Sequence, residues 1–334
     1  MNMNVRTVRF AIGGMAWLVL LSLVLAACSQ TTVVPTEPPT KPATAAPTEP
    51  PTAAPTEPPA TEPPTPEGPQ PSGISPDPQR VEFQAEDGAK LVGYYYPSKY
   101  ANAPVMILMH WAVGDLCDWS AIAPWLQNRA DEDPAALERC ADPGASLPSD
   151  MATPWWDSTW FPPMAPEASI AVFAFDFRGY GESETGGGRT DLAKDARAAF
   201  KAAAGLEGVD ANRMAALGAS IGADGAPDGC LLHNQETGGG CVGALSLSPG
   251  GYLGMEYSTV VNDLDPTPVW CLAGELDPST KTCEGASGES YRSVIYSGTR
   301  EHGMTLLMPE FDPQPLVLIQ EFIELVFGES VKVE

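Results

Sequence analysis

Tyr291 to Tyr296 reads as a last, mixed strand, and short apolar runs punctuate the chain from residue 80 up to it: Pro104 to Met109, Ser169 to Phe175, Met214 to Leu217, Val242 to Leu247 and Pro268 to Ala273. Runs of this length, bounded by Gly, Asp and Ser, read as strands covered on both faces. Ahead of them, Val81 to Ala85 and Lys90 to Tyr96 flank Glu86-Asp87-Gly88, which predicts a β-hairpin. Helical spacing fills the gaps. Trp119, Ile122 and Trp125-Leu126 share one face of 118–128, with Pro124 as an irregularity. Leu192, Ala196, Phe200 and Ala203 mark a second helix, opened by Thr190 or Asp191 and closed by Gly205. A last helix runs from Pro315 to Phe327 and ends at Gly328. Strands alternating with helices predict an α/β fold, a doubly wound, mostly parallel sheet flanked by helices.

The first 79 residues follow other rules. Arg6 and Arg9 precede an apolar run from Ala11 to Leu25 that ends Leu25-Ala26-Ala27-Cys28, the layout of a secretory signal peptide over 1–27. The run is short for a membrane-spanning helix. Leu-Ala-Ala-Cys resembles a bacterial lipobox, which implies lipid on Cys28, export, and anchoring to a bacterial membrane with the domain outside the cytoplasm. The plainer alternative is an ordinary signal peptide with a chance cysteine. Across 28–79, Thr-Glu-Pro-Pro recurs at 36–39, 48–51, 56–59 and 61–64. Such a Pro/Thr/Glu-rich stretch cannot bury a core and predicts a disordered, extended spacer. At roughly 3.1 Å per residue it spans on the order of 150 Å.

Residues 80–330 are long enough for one domain with a proper core. The formal net charge of −25 argues against nucleic acid and against resting on an anionic membrane face. Three dispersed histidines offer no paired spacing for a metal site. Beyond Cys28 six cysteines remain, an even number that suits disulfides in an exported domain. Pairing sequence neighbours gives 117–140, 230–241 and 271–283, although Cys271 lies within a strand, where a buried free thiol is the alternative.

The chemistry centres on Gly218-Ala219-Ser220-Ile221-Gly222, which follows an apolar strand and reads as a nucleophile elbow. Its glycines are needed because a Cβ at 218 or 222 meets the neighbouring strand or helix. The hydroxyl of Ser220 is then exposed above the sheet, with the Ile221 N–H at a helix start beside it.

With His110-Trp111, Asp176-x-Arg-Gly-x-Gly-x-Ser183, Val209-Asp210-x-x-Arg213, Gly274-x-x-Asp277 and His302-Gly303 in this order, residues 80–330 resemble the α/β-hydrolase superfamily. The branch suggested is the bacterial esterase and dienelactone-hydrolase-like group, with Ser in place of Cys. The resemblance implies the α/β-hydrolase fold and a triad of Ser220, Asp277 and His302 in the family order. Glu275 is the alternative acid, since either carboxylate reaches that loop. His110 belongs to the oxyanion loop, and His233 lies just after the elbow, before any candidate acid. The oxyanion donors implied are the backbone N–H groups of Trp111 and Ile221. Trp111 departs from the commoner His-Gly pair, and its side chain either narrows the acyl pocket, stacks on substrate, or roofs the core. Asp176 reads as a loop acceptor paired with Arg178, and Asp224 as a solvated or substrate-facing helix residue.

The insertion at about 131–168 is long for such a connection. A bridge from Cys117 to Cys140 would draw it toward the site, with a short helix begun at Asp133-Pro134. Trp155-Trp156 and Trp160-Phe161 then either cover the pocket or pack the insertion. Between 248 and 268 there is little room for a large cap. The function expected is a lipid-anchored serine hydrolase cleaving small-molecule carboxylic esters through an acyl-enzyme on Ser220, without metal or organic cofactor. A peptidase or amidase with the same triad, and a non-catalytic surface-binding lipoprotein on this fold, remain as alternatives.

Overall fold

The computed structural model describes residues 69–141 and 157–328. The expected signal segment, Cys28, the Thr-Glu-Pro-Pro repeats and Trp155-Trp156 lie outside the described residues. The elements in chain order are β1 (Gln79–Gln84), β2 (Lys90–Tyr96), β3 (Ala103–Met109), α1 (Ile122–Gln127), β4 (Ala171–Asp176), α2 (Leu192–Ala204), β5 (Val209–Ala219), α3 (Ile221–Thr237), β6 (Cys241–Leu247), α4 (Tyr257–Leu264), β7 (Val269–Gly274), α5 (Thr280–Gly285), β8 (Tyr291–Tyr296) and α6 (Pro315–Phe327). The strands form one sheet in the order β1-β2-β4-β3-β5-β6-β7-β8. β2 pairs antiparallel with β1 and β4, and the remaining pairs from β4 to β8 are parallel.

Alternation of side chains along each strand builds two cores. Met106 and Leu108 of β3 pack with α1 and α6, while Val105, Ile107 and Met109 pack with α2, α3 and α4. α1 therefore covers one face and α3 the other, although β3 and β5, which feed them, are neighbours. In open α/β sheets the strand C-terminal ends at such a change of face form the ligand crevice.

The helix expected over 118–128 is two pieces, a 3-10 turn at Leu116–Trp119 and then α1. Pro124 sits in the first turn of α1. Its ring excludes a helical carbonyl four residues earlier, so the helix cannot extend back through Ser120. α4 and α5 were not foreseen, being only 8 and 6 residues long and too short for a clear apolar period.

Residues 70–78, read as the end of the spacer, are bound to the domain. Ser72 and Ala101 donate backbone N–H groups to Lys99 and Gln70. The guanidinium of Arg129, 4% exposed, donates to carbonyls of Ile74, Pro97 and Ser98. A buried guanidinium needs several acceptors at once, and a Pro-rich segment still supplies carbonyls.

Within the insertion no helix begins at Asp133-Pro134. Among the described residues 3-10 turns stand there instead, at Ala130–Glu132, Glu138–Cys140 and Ser158–Trp160, and Asp133 closes the first in the left-handed region at φ 52°. Trp160 and Phe161 pack on the core beside α1 and α6. The Phe161 ring lies 5.3 Å from that of Trp125, the Trp125 indole donates to Pro162 O at 2.9 Å, and Gln314 just before α6 donates to Trp160 O.

Cysteines pair as Cys117–Cys140, Cys230–Cys241 and Cys271–Cys283, so Cys271 is bridged rather than free. No helix among the described residues is long and apolar enough to cross a membrane.

Candidate active site

β5 ends at Ala219 and α3 starts at Ile221, leaving Ser220 alone to turn the chain at φ 52° and ψ −111°. A Cβ on Gly218 would stand 1.8 Å from Gly222 O, and one on Gly222 would stand 2.2 Å from Met109 O of β3. The strained serine and its bare flanks are thus one feature: the turn closes only where helix and strand backbones touch. Ile221 is the first residue of α3, so its N–H has no carbonyl within the helix to bond.

His302 and Asp277 reach Ser220 from the ends of later strands. His302 Nε2 lies 2.8 Å from Ser220 Oγ, and Nδ1 lies 2.9 Å from Asp277 Oδ2. The hydroxyl donates to Nε2, and the Nδ1 N–H donates to the carboxylate. Asp277 is held in turn by the Ser279 N–H at 2.8 Å and by the Ser279 hydroxyl, both on Oδ1. Glu275, the other candidate acid, is exposed and accepts from the Gly298 N–H at 2.7 Å, away from the histidine. The Cys271–Cys283 bridge joins β7 to α5 and so spans the loop that carries Asp277.

The histidine loop is fixed from two sides. Gly303 N–H donates to Ser248 Oγ at 3.0 Å, and a Cβ on Gly303, whose φ is +59°, would meet the Trp111 ring at 2.9 Å. Trp111 is 3% exposed and packs in the core under that loop, with the Asp118 carboxyl nearby. It therefore roofs the core and presents no face on which a substrate stacks. Burial, reinforced by the nearby Asp115 charge, pushes Asp118 up to about 8.

His110 is fully buried. Its Nε2 accepts the Phe177 N–H at 3.0 Å, leaving Nδ1 to donate to Trp111 O at 2.7 Å, and burial lowers its pKa. It is a neutral strut under the loop after β3. His233 stacks on Phe200, 5.6 Å between centroids, within the helical layer.

Two polar residues sit differently from the sequence-based expectation. Asp176 does not pair with Arg178. It accepts from the Leu116 and Glu182 N–H groups and from Arg139 at 2.7 Å, whereas Arg178 binds Asp87 and the buried Asp195 of α2. Asp176 ends a strand and Arg178 lies in the turn beyond, so each serves different neighbours. Asp224 is neither solvated nor facing substrate. It is 2% exposed and accepts backbone N–H groups from Gly250, Gly251 and Tyr252. Arg139 is the contribution that sequence reading missed, because its partners lie across the insertion.

No protein-family model matches the sequence, and no curated protein does. Solved structures do match in shape. A 2,6-dihydroxy-pseudo-oxynicotine hydrolase is 14% identical, with 78% of this chain on 71% of that one and a TM-score of 0.50. The fold is that of the α/β hydrolases. DcsB, solved with its substrate analogue, is 13% identical and fully covered by 75% of this chain, also at 0.50. The Pyrococcus furiosus esterase Pf2001 is 16% identical, with 75% of this chain on 94% of that one at 0.48.

Proposed function

We propose that this α/β-hydrolase-fold protein is a serine hydrolase that cleaves carboxylic esters through an acyl-enzyme on Ser220. The observation that carries the reading is the unbroken hydrogen-bonded line Ser220–His302–Asp277, ending on a serine held at positive φ above the sheet. In the first half-reaction Ser220 Oγ attacks the ester carbonyl carbon as its proton passes to His302 Nε2. The oxyanion faces the Ile221 and Trp111 N–H groups. On collapse the C–O bond breaks, Nε2 returns the proton to the leaving alkoxide, and an alcohol departs. Water then repeats the sequence on the acyl-enzyme and releases the acid. Asp277 keeps the Nδ1–H tautomer and stabilises the imidazolium.

The export reading belongs with this proposal: cleavage before Cys28, lipid on its sulfur, and the Pro-rich segment as tether to a bacterial membrane. The three disulfides favour an oxidising compartment.

The test is labelling of the purified domain with a fluorophosphonate probe. Wild type should label, while Ser220→Ala and His302→Ala should not. Absence of labelling in folded, oxidised wild type would overturn the mechanism and favour a binding protein. Turnover of anilides at rates matching the corresponding esters would favour the amidase reading.

A further inference from the structure

The loop after β6 is pinned to the nucleophile helix by one buried carboxylate. Asp224 lies four residues beyond Ser220 on α3. Its Oδ1 accepts from Gly250 N at 3.0 Å and Gly251 N at 3.1 Å, and its Oδ2 accepts from Tyr252 N. Three successive amides converging on one side chain leave the loop little freedom. Without Asp224 those donors would lose their acceptor, which costs far more than one exposed hydrogen bond. The backbone so fixed aims Tyr252 at the triad. Its ring meets the His302 imidazole edge to face, 6.4 Å between centroids and 76° between planes. It also folds over Gly250, where a Cβ would stand 2.3 Å from the ring. The same loop supplies Ser248 Oγ to the Gly303 N–H beside the histidine. The far end is set against the turn before α2, where a Cβ on Gly254 would meet Thr190 Cγ2 at 2.9 Å.

We infer that Tyr252 forms the wall of the substrate cleft on the imidazole side and sets the preference for acyl-chain size. Asp224 is the positioning residue that holds it there. This rests on the hydrolase reading above. The ring is half-buried beside the imidazole, so a substrate group lying along His302 packs against it. A phenol ring held by a rigid loop limits that group in one direction, whereas a mobile loop would admit several sizes alike.

Two measurements decide it. The first is kcat/KM for p-nitrophenyl acetate, butyrate and octanoate with wild type, Tyr252→Phe, Tyr252→Ala and Asp224→Asn. Tyr252→Ala should change the octanoate-to-acetate ratio by about tenfold or more, since filling or emptying an apolar pocket discriminates at that scale, and Tyr252→Phe should leave it within about twofold. Asp224→Asn should shift the ratio in the same direction, and adding it to Tyr252→Ala should change nothing further. An unchanged ratio in Tyr252→Ala, or additive shifts, would overturn the assignment. The second is amide hydrogen exchange across 248–256, which does not depend on turnover. Protection should fall in Asp224→Asn and persist in Tyr252→Ala, and unchanged protection in Asp224→Asn would remove the latch. Wild type that fails to label with fluorophosphonate removes the hydrolase reading and the substrate wall with it, while exchange still decides the latch.

Discussion

Arg139 donates to Asp176 at 2.7 Å across 37 residues of sequence, and the Asp176 side chain has no solvent exposure. The same guanidinium bonds Asp115 at 2.9 Å and stands 3.5 Å from Glu182. The next residue, Cys140, is bridged to Cys117 beside the turn that follows β3. The disulfide therefore aims one cation at the carboxylates gathered at the C-terminal ends of β3 and β4. Substituting Arg139→Met should destabilise the domain by about 3–5 kcal/mol in urea unfolding, the cost of stranding a buried charge. Cys117→Ala with Cys140→Ala should cost about 2–4 kcal/mol. All three together should cost less than the sum, because loss of the bridge already loosens the cation.

Asp277 and Glu275 should separate cleanly in kinetics. Asp277→Asn should lower kcat by about 10³- to 10⁴-fold with a modest change in KM, since the neutral amide no longer fixes the histidine tautomer. Glu275→Gln should stay within about twofold, because its carboxylate serves only a loop amide away from the imidazole. Equal losses from both substitutions would contradict this division of roles.

Stability should fall between pH 5 and pH 9. Burial pushes Asp224 up to about 6 and Asp118 and Asp228 up to about 8, all from an ordinary 3.8. A carboxyl with a raised folded value binds its proton more tightly when folded. The stabilisation is therefore complete below the unfolded value, near pH 4, and is lost as pH rises through 6 for Asp224 and 8 for the other two. Asp228 Oδ2 is buried with no hydrogen-bond partner among the described residues, so its ionisation is the least compensated. Asp228→Asn should flatten the alkaline limb of a Tm-against-pH curve. A Tm as high at pH 9 as at pH 5 in wild type would rule out neutral buried carboxyls.

Phe161 should matter to stability and not to selectivity. It packs on Trp125 and the core beneath α1, so Phe161→Ala should cost about 2–4 kcal/mol, toward the range for truncating a half-buried aromatic. The ratio of kcat/KM for octanoate over acetate should hold. A selectivity change with stability intact would instead show this segment covering the pocket.

Local chemistry made much of the protein legible. Apolar runs marked β3, β4 and β6 because a strand covered on both faces has no polar face to interrupt its pattern. Gly218, Ser220 and Gly222 announced the elbow because a turn in which helix and strand backbones touch tolerates few residue types. The resemblance to the α/β hydrolases implied that Ser220, Asp277 and His302 act together, with Glu275 left as the other acid, and neighbouring cysteines suggested their pairs. Tertiary structure alone decided where the polar residues went. Nothing local tells Asp224 from a solvated helix residue, since its three partners lie 26 to 28 residues away. Asp176 faced the same choice between Arg178, two residues off, and Arg139, drawn in by a disulfide. Trp111 and Phe161 likewise gave no sign whether they met substrate or core. A side chain's type records which interactions it can make, and only the packed chain selects which partners come within reach.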